Sequence, residues 1–208
     1  MEKIKNIIFD LGVVLIDLDV GRSEKAFRQF LDGQYEHAYK WLTENEVFLN
    51  FEKGIISGES FINALQRAVT PVPDPKLIIN AWNALLVGIP KRRLTLLRKL
   101  KQQYRLFLLS NTNTIHLTWI RNHVKREHRV DDFDAYFFEK TYYSFELGMR
   151  KPEEDIFDFV LEDAGILASE TLFIDDKREN VEAARKMGIQ AMLLPDGVDV
   201  TALVSRLD

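Results

Sequence analysis

Ile7-Ile8-Phe9-Asp10-Leu11-Gly12 decides the fold. Three apolar residues run straight into a carboxylate, the pattern of a buried strand that ends by presenting an acid. In an open α/β sheet, ligands collect beyond the carboxyl ends of the parallel strands, so Asp10 is placed where chemistry is done. Gly12 lets the chain turn sharply and brings backbone groups close to a ligand. Taken alone, the stretch also reads as a turn-forming Asp-x-Gly. Three later apolar runs, each ending in polar residues of a different kind, favour the α/β reading.

The first of these, Leu106 to Leu109, ends in Ser110-Asn111-Thr112-Asn113 ahead of a helix predicted from Thr114 to Lys125. Hydroxyls and amides before a helix N-terminus make either an anion site or a plain helix cap. The second, Ala135 to Phe138, is predicted as a strand leading into Leu147-Gly148-Met149-Arg150-Lys151-Pro152-Glu153. Pro152 suits a first helical position, which would leave Lys151 opposing the helix dipole, either solvated or aimed inward; local sequence favours the solvated reading. The third, Thr171 to Ile174, ends in Asp175-Asp176, with Asn180 one turn into the following helix. Adjacent carboxylates at the end of a buried strand persist best with a cation, and hard oxygen ligands suit Mg²⁺; the alternative is that they cap the helix.

Between the first strand and the second, the period changes to helical. Apolar residues fall at helical spacing from Ala26 to Val69, with a cap at Ser57 or Ser60, and Asp74-Pro75 opens a helix running from Lys76 to Val87. Residues 17–90 therefore read as helices without a strand signal, inserted into an α/β core formed by 1–16 and 91–208. A helix from Lys91 to Gln103 resumes the alternation, and its basic residues Lys91, Arg92, Arg93, Arg98, Lys99 and Lys101 read as a solvated face.

Composition limits the function. With 208 residues, 46% of them hydrophobic, the chain can bury a sizeable core. A net charge of −4 argues against nucleic acid as a partner. There is no cysteine, which excludes disulfides and thiolate metal sites. No apolar run approaches the roughly 20 residues that span a bilayer, so the sequence predicts a cytoplasmic protein with no membrane partner. It favours neither monomer nor dimer.

Taken in order, the strand ends carry an acid, a hydroxyl/amide group, a lysine and a double acid. This set resembles the haloacid dehalogenase superfamily along the whole chain, with Asp10, Ser110, Lys151 and Asp175-Asp176 with Asn180 as its four motifs and the helical insertion as its cap domain. More closely, Phe9-Asp10-Leu11-Gly12, Ser110 to Asn113 with His116, Leu147 to Glu153 and Phe173 to Asn180 look like the α-D-glucose-1-phosphate phosphatase group. The resemblance implies a Rossmann-like, doubly wound α/β core with an all-helical cap, and a Mg²⁺-dependent phosphatase acting on a small phosphorylated metabolite, a sugar phosphate, through an aspartyl-phosphate. In that scheme Asp10 attacks phosphorus. The metal is held by Asp10, the Gly12 carbonyl and Asp176, with Asp175 nearby. Ser110 and the Asn111 amide hold the transferring group, and Lys151 binds both the nucleophile and the phosphate charge. Such transfers need positioning and charge compensation above all.

One departure stands out: superfamily phosphatases usually carry a second Asp, a proton carrier, where this chain has Gly12. His116, Asp17 and Asp19 are the candidates to relay a proton instead. Two other functions use the same residues, a metal-independent 2-haloacid dehalogenase and a non-catalytic binding member. In the insertion, Trp41, Phe48, Phe51, Phe61 and Trp82 read as helix-packing core rather than sugar-stacking surfaces. Glu52, Lys53 and Gly54 are better placed to reach a substrate, with hinges near Asp17 and Pro90.

Overall fold

Strand β1 (Asn6–Phe9) lies at the centre of the sheet with all four residues buried, as the apolar run Ile7–Phe9 requires. The computed structural model describes residues 3–204; the outermost residues of the expected core segments, 1–2 and 205–208, lie outside the described residues. The other strands are β2 (Asp17–Leu18), β3 (Leu86–Gly88), β4 (Arg105–Ser110), β5 (Lys140–Tyr143), β6 (Thr171–Asp175) and β7 (Gln190–Leu193). Five of them form a parallel sheet in the order β5-β4-β1-β6-β7. Phe9 pairs with Leu108 on one side and Ile174 on the other. Asp10 therefore emerges level with Leu109 and Asp175, at the point where the strand order reverses.

Alternate residues of each strand feed opposite cores, because successive side chains leave opposite faces of a sheet. Ile7, Phe9, Leu106, Leu108 and Ile174 pack with α6 (Lys91–Leu100), α7 (Thr114–His128), α8 (Phe133–Phe137) and α12 (Val200–Val204). Ile8, Phe107, Leu109 and Phe173 pack with α10 (Glu154–Ala164) and α11 (Arg178–Lys186). Helices on both faces make this the expected doubly wound α/β core.

Between β2 and β3 lie α1 (Val20–Leu31), α2 (Tyr35–Glu44), α3 (Val47–Glu52), α4 (Gly58–Arg67) and α5 (Pro75–Asn83). They bury a core of their own, with Phe51 on Phe61 at 4.6 Å and Phe48 on Trp82 at 5.7 Å between ring centroids. Ser57 rather than Ser60 caps α4, and Asp74 caps α5 by accepting from Lys76 N at 2.7 Å.

Five local expectations need correcting. Residues 17–90 begin and end on strand, since Asp17–Leu18 pairs antiparallel with Leu86–Gly88, and α5 stops at Asn83 instead of running to Val87. Ala135–Phe138 is not a strand: Asp132 caps a helix by accepting from Ala135 N, Phe133 and Phe137 bury one face of it, and the strand follows at Lys140 and leads into the short α9 (Ser144–Leu147). A short apolar run suits either state, and the cap decided it. Pro152 does not open a helix; Glu153 N donates to Arg150 O at 2.9 Å in a tight turn with a cis Lys151–Pro152 peptide, and α10 starts at Glu154. Arg93 leaves the solvated basic face and is buried between Asp17 (2.8 Å) and Asp199 (3.0 Å).

Candidate active site

Lys151 gathers the strand ends. Its ammonium, 1% exposed, donates to Asp10 Oδ1 at 2.6 Å, Asp175 Oδ2 at 2.7 Å and Leu109 O at 2.8 Å. All three N–H groups of the ammonium are thereby satisfied, the condition under which a buried charge is tolerated. The solvated reading of Lys151 is thus overturned. Asn111 explains how: its side chain pairs with the Lys151 backbone in both directions, Nδ2 to O at 2.8 Å and N to Oδ1 at 2.9 Å. That clip fixes where the lysine leaves the turn, and it occupies the Asn111 side chain.

Asp175 is saturated as well. Oδ2 also accepts from Asn180 Nδ2 at 2.9 Å, and Oδ1 accepts from Lys177 N at 2.8 Å just ahead of α11. Asp175 therefore pairs with a cation, as one reading of the double acid had it, and neither acid caps α11, whose N-cap is Lys177 with no side-chain cap. Asp10 Oδ2 and the half-buried Asp176 carboxylate remain without side-chain partners among the described residues. Ser110 is buried at the end of β4 with no hydrogen bond to its hydroxyl among the described residues, because Asn113, not Ser110, caps α7 by accepting from His116 N at 3.0 Å.

The charges do not balance. Three carboxylates, those of Asp10, Asp175 and Asp176, meet one buried ammonium. Burial pushes the Asp10 carboxyl up to about 7 against the pull of Lys151, and Asp175 and Asp176 push it the same way. Burial pulls Lys151 down, but Asp10 and Asp175 outweigh it and hold the ammonium above its ordinary value. Burial and then Asp175 also raise Asp176. A crevice with this excess of negative charge and unpaired hard oxygens is chemically suited to a divalent cation. Among the described residues no group of three or more His, Cys, Asp or Glu side chains is gathered as a ready-made metal cage, this crevice included, where Lys151 already takes one oxygen each of Asp10 and Asp175.

Gly12 sits against the first acid, where an added Cβ would lie 3.7 Å from Asp10 Oδ2 and 3.2 Å from Leu18 Cδ1. The left-handed residue of this turn is not Gly12 but Val13, at φ 60°, with Val14 N donating to Gly12 O at 2.5 Å. A β-branched residue there stores about 1–2 kcal/mol of strain next to the acid.

None of the three proton-relay candidates is hydrogen-bonded to Asp10, Lys151 or Asp175. His116 is buried, stacks on Trp82 at 5.0 Å and bonds Asn83 Oδ1 through Nδ1 at 2.9 Å, joining α7 to α5. Burial lowers it to about 3, so it is neutral throughout the working range. Asp17 pairs with Arg93, and Asp19 is the exposed residue ahead of α1. We expect His116→Ala to leave the shape of the pH–rate profile between pH 5 and 9 unchanged while lowering thermal stability; a lost limb in that profile would restore His116 as a proton carrier. The buried neutral imidazole also sets a sign. Its contribution to stability is complete above the unfolded value of 6.5 and fades as pH falls toward about 3, so the Ala variant should lose less stability on acidification than the wild type.

Glu52, Lys53 and Gly54 clamp the insertion onto the turn that carries Lys151. Glu52 pairs with Arg150 at 2.8 Å, Lys53 with Glu153 at 2.7 Å, and Ser144 Oγ donates to Glu52 O at 2.6 Å. Gly54, at φ +68°, lies so close to Phe145 O that a Cβ would fall 2.0 Å from it. Sequence reasoning gave no role to Ser144, or to Arg150 within its motif; the available signal was a small hydroxyl and a cation on either side of Gly148.

Comparison with known proteins agrees with this geometry. A family model described as haloacid dehalogenase-like hydrolase matches residues 4–188. The chain is 28% identical over 196 residues to D-ribitol-5-phosphate phosphatase of Bacteroides thetaiotaomicron, covering 94% of each. It is 33% identical over 159 residues to a sesquiterpene phosphatase of Aspergillus oryzae, covering 76% of each. A crystal structure of a HAD family enzyme from Bacteroides thetaiotaomicron, in complex with magnesium and inorganic phosphate, matches with a TM-score of 0.87 at 39% identity, over 96% of this chain and 98% of that one.

Proposed function

The chain belongs to the haloacid dehalogenase-like hydrolases, and from that premise we propose that it is a Mg²⁺-dependent phosphatase acting on a small phosphate monoester through an aspartyl-phosphate at Asp10. The observation that carries this reading is Lys151, whose buried ammonium ties Asp10 to Asp175 at 2.6 and 2.7 Å. The relatives that act on ribitol 5-phosphate and on a sesquiterpene phosphate, and the related enzyme crystallised with magnesium and phosphate, support the same class. Within it, a sugar or polyol phosphate is the first substrate to assay.

Asp10 supplies the attacking oxygen: an Asp10 Oδ–P bond forms as the P–O bond to the alcohol breaks, and water then displaces the carboxylate from phosphorus. Asp10 Oδ2, the Gly12 carbonyl and Asp176 are the groups that would hold the metal, with Asp175 behind them keeping Lys151 in place. The ion, when bound, supplies charge compensation to the phosphate oxygens. Ser110 offers its unpaired hydroxyl to the transferring group, and the Asn111 side chain keeps Lys151 aimed at Asp10. With Gly12 in place of a carboxylic acid, the departing alcohol draws its proton from water. The loss of a general acid, about 10²–10⁴-fold, is least damaging when the leaving alcohol is acidic.

The test is kcat/KM for a panel of sugar, polyol and aryl phosphates with and without Mg²⁺. Turnover that needs the ion supports the proposal, and metal-independent release of halide from a 2-haloacid would replace it. Metal binding should also show in stability. Because burial raises Asp10 to about 7, its contribution in metal-free protein is complete below the unfolded value of 3.8 and is lost as pH rises through about 7. Mg²⁺ should therefore raise the melting temperature more at pH 8 than at pH 5; a larger increment at pH 5 would contradict the metal assignment.

A further inference from the structure

Glu52, Lys53 and Gly54, consecutive residues where α3 of the insertion ends, each meet a different point of the stretch 144–153. Glu52 pairs with Arg150 at 2.8 Å, Lys53 pairs with Glu153 at 2.7 Å, and Gly54 lies against Phe145 O, where a side chain would not fit. Glu52 has a second contact through its main chain. The Ser144 hydroxyl has a single proton and finds Glu52 O at 2.6 Å and Thr112 O at 3.1 Å, so the shorter contact crosses to the insertion. The same oxygen accepts from Thr112 N at 3.0 Å.

Both contacts of Glu52 lead to the reaction centre. Arg150 directly precedes Lys151, and Thr112 follows Ser110 and Asn111 in the strand-end loop. Asn111 already ties that loop to the turn through the Lys151 backbone, at 2.8 and 2.9 Å. Glu52 therefore grips, from the insertion, the two segments that aim Lys151 at Asp10. Stability gives little reason for charges here, since the insertion buries an apolar core of its own and a half-buried ion pair adds little to folding. What such a pair does supply is direction, and a shift of about 1 Å at a reacting centre costs up to about 10²-fold in rate.

We propose that Glu52 and Arg150 are positioning residues for phosphoryl transfer, acting through Lys151 rather than on the phosphate. Together they fix the turn from which the ammonium reaches Asp10. The proposal rests on the phosphatase reading and gives the insertion a part in assembling the centre itself. Neither residue makes or breaks a bond in the reaction.

The experiment measures hydrolysis of 4-nitrophenyl phosphate with Mg²⁺ in the wild type, Glu52→Ala, Arg150→Ala, the double variant and Arg150→Lys. Expected is a fall of roughly 10–100-fold in kcat in either single alanine variant, with the double variant no worse and Arg150→Lys recovering most of the rate. Melting temperatures should stay within about 4 °C of the wild type. Inhibition by orthovanadate, a mimic of five-coordinate phosphorus, separates position from folding. Its Ki should rise about tenfold or more, whereas a smaller folded fraction would leave Ki unmoved. Amide exchange supplies a readout independent of turnover: Lys151 N, held by Asn111 Oδ1, should exchange at least about tenfold faster in Glu52→Ala, with the amides of β1 unchanged. Rates within about twofold of the wild type, an unmoved vanadate Ki, or losses that multiply in the double variant would overturn the positioning role. A wild type that hydrolyses no phosphate ester with Mg²⁺ would reject the phosphatase reading, a result distinct from these, and amide exchange would still show whether Glu52 holds the turn.

Discussion

Asp10→Asn is expected to remove phosphatase turnover by about 10⁴-fold or more while leaving the protein at least as stable as the wild type. An amide cannot form the acyl-phosphate, so the loss is in kcat, not in KM. Its carbonyl can still accept from Lys151, which keeps Asp175 and Leu109 O as partners. Removing the charge relieves a site where burial already pushes the Asp10 carboxyl up to about 7 and where carboxylates outnumber the ammonium. Steady-state kinetics beside denaturant unfolding separates the two effects. A variant that unfolds far more readily would mean that Asp10 is chiefly a structural anion.

Lys151→Met is the change with the largest expected cost to the fold, about 3–5 kcal/mol, because it leaves two buried carboxylates without their shared cation. At this chain length that corresponds to a fall of roughly 10 °C in melting temperature. Activity should be lost as well, since the same ammonium positions Asp10. The two roles are separable in the double variant Asp10→Asn/Lys151→Met, which should recover part of the lost stability and none of the activity. Equal stability of the single and double variants would show that the 2.6 Å contact between Lys151 and Asp10 carries little of the energy.

The parallel core was legible because its evidence is local: β1, β4 and β6 are apolar runs whose last residues change character abruptly. The fifteen-residue helix after Asn113 is legible for the same reason, with its cap in the sequence. What local reasoning misjudged depends on partners far along the chain. Lys151 reads as solvated beside Pro152, yet Asn111, 40 positions away, pulls it inward. Arg93 reads as one more surface cation in a basic run, yet Asp17 and Asp199 bury it. His116 sits near the reactive loop in sequence, but Trp82 and Asn83 of α5 claim its ring. Glu52 and Lys53 read as within reach of a ligand, and the side chains of Arg150 and Glu153 pair with them. The short α8 fell between periods, where only the Asp132 cap distinguishes helix from strand.

The central claim is that Asp10 becomes phosphorylated during turnover, and trapping tests it most directly. Protein quenched while hydrolysing a phosphate ester with Mg²⁺, then reduced with borohydride, should yield a peptide bearing homoserine at position 10, where an acyl-phosphate stood. The same treatment of Asp10→Asn should yield none. Sustained turnover with no reduced residue at position 10, or with the label on Asp175 or Asp176, would contradict the account.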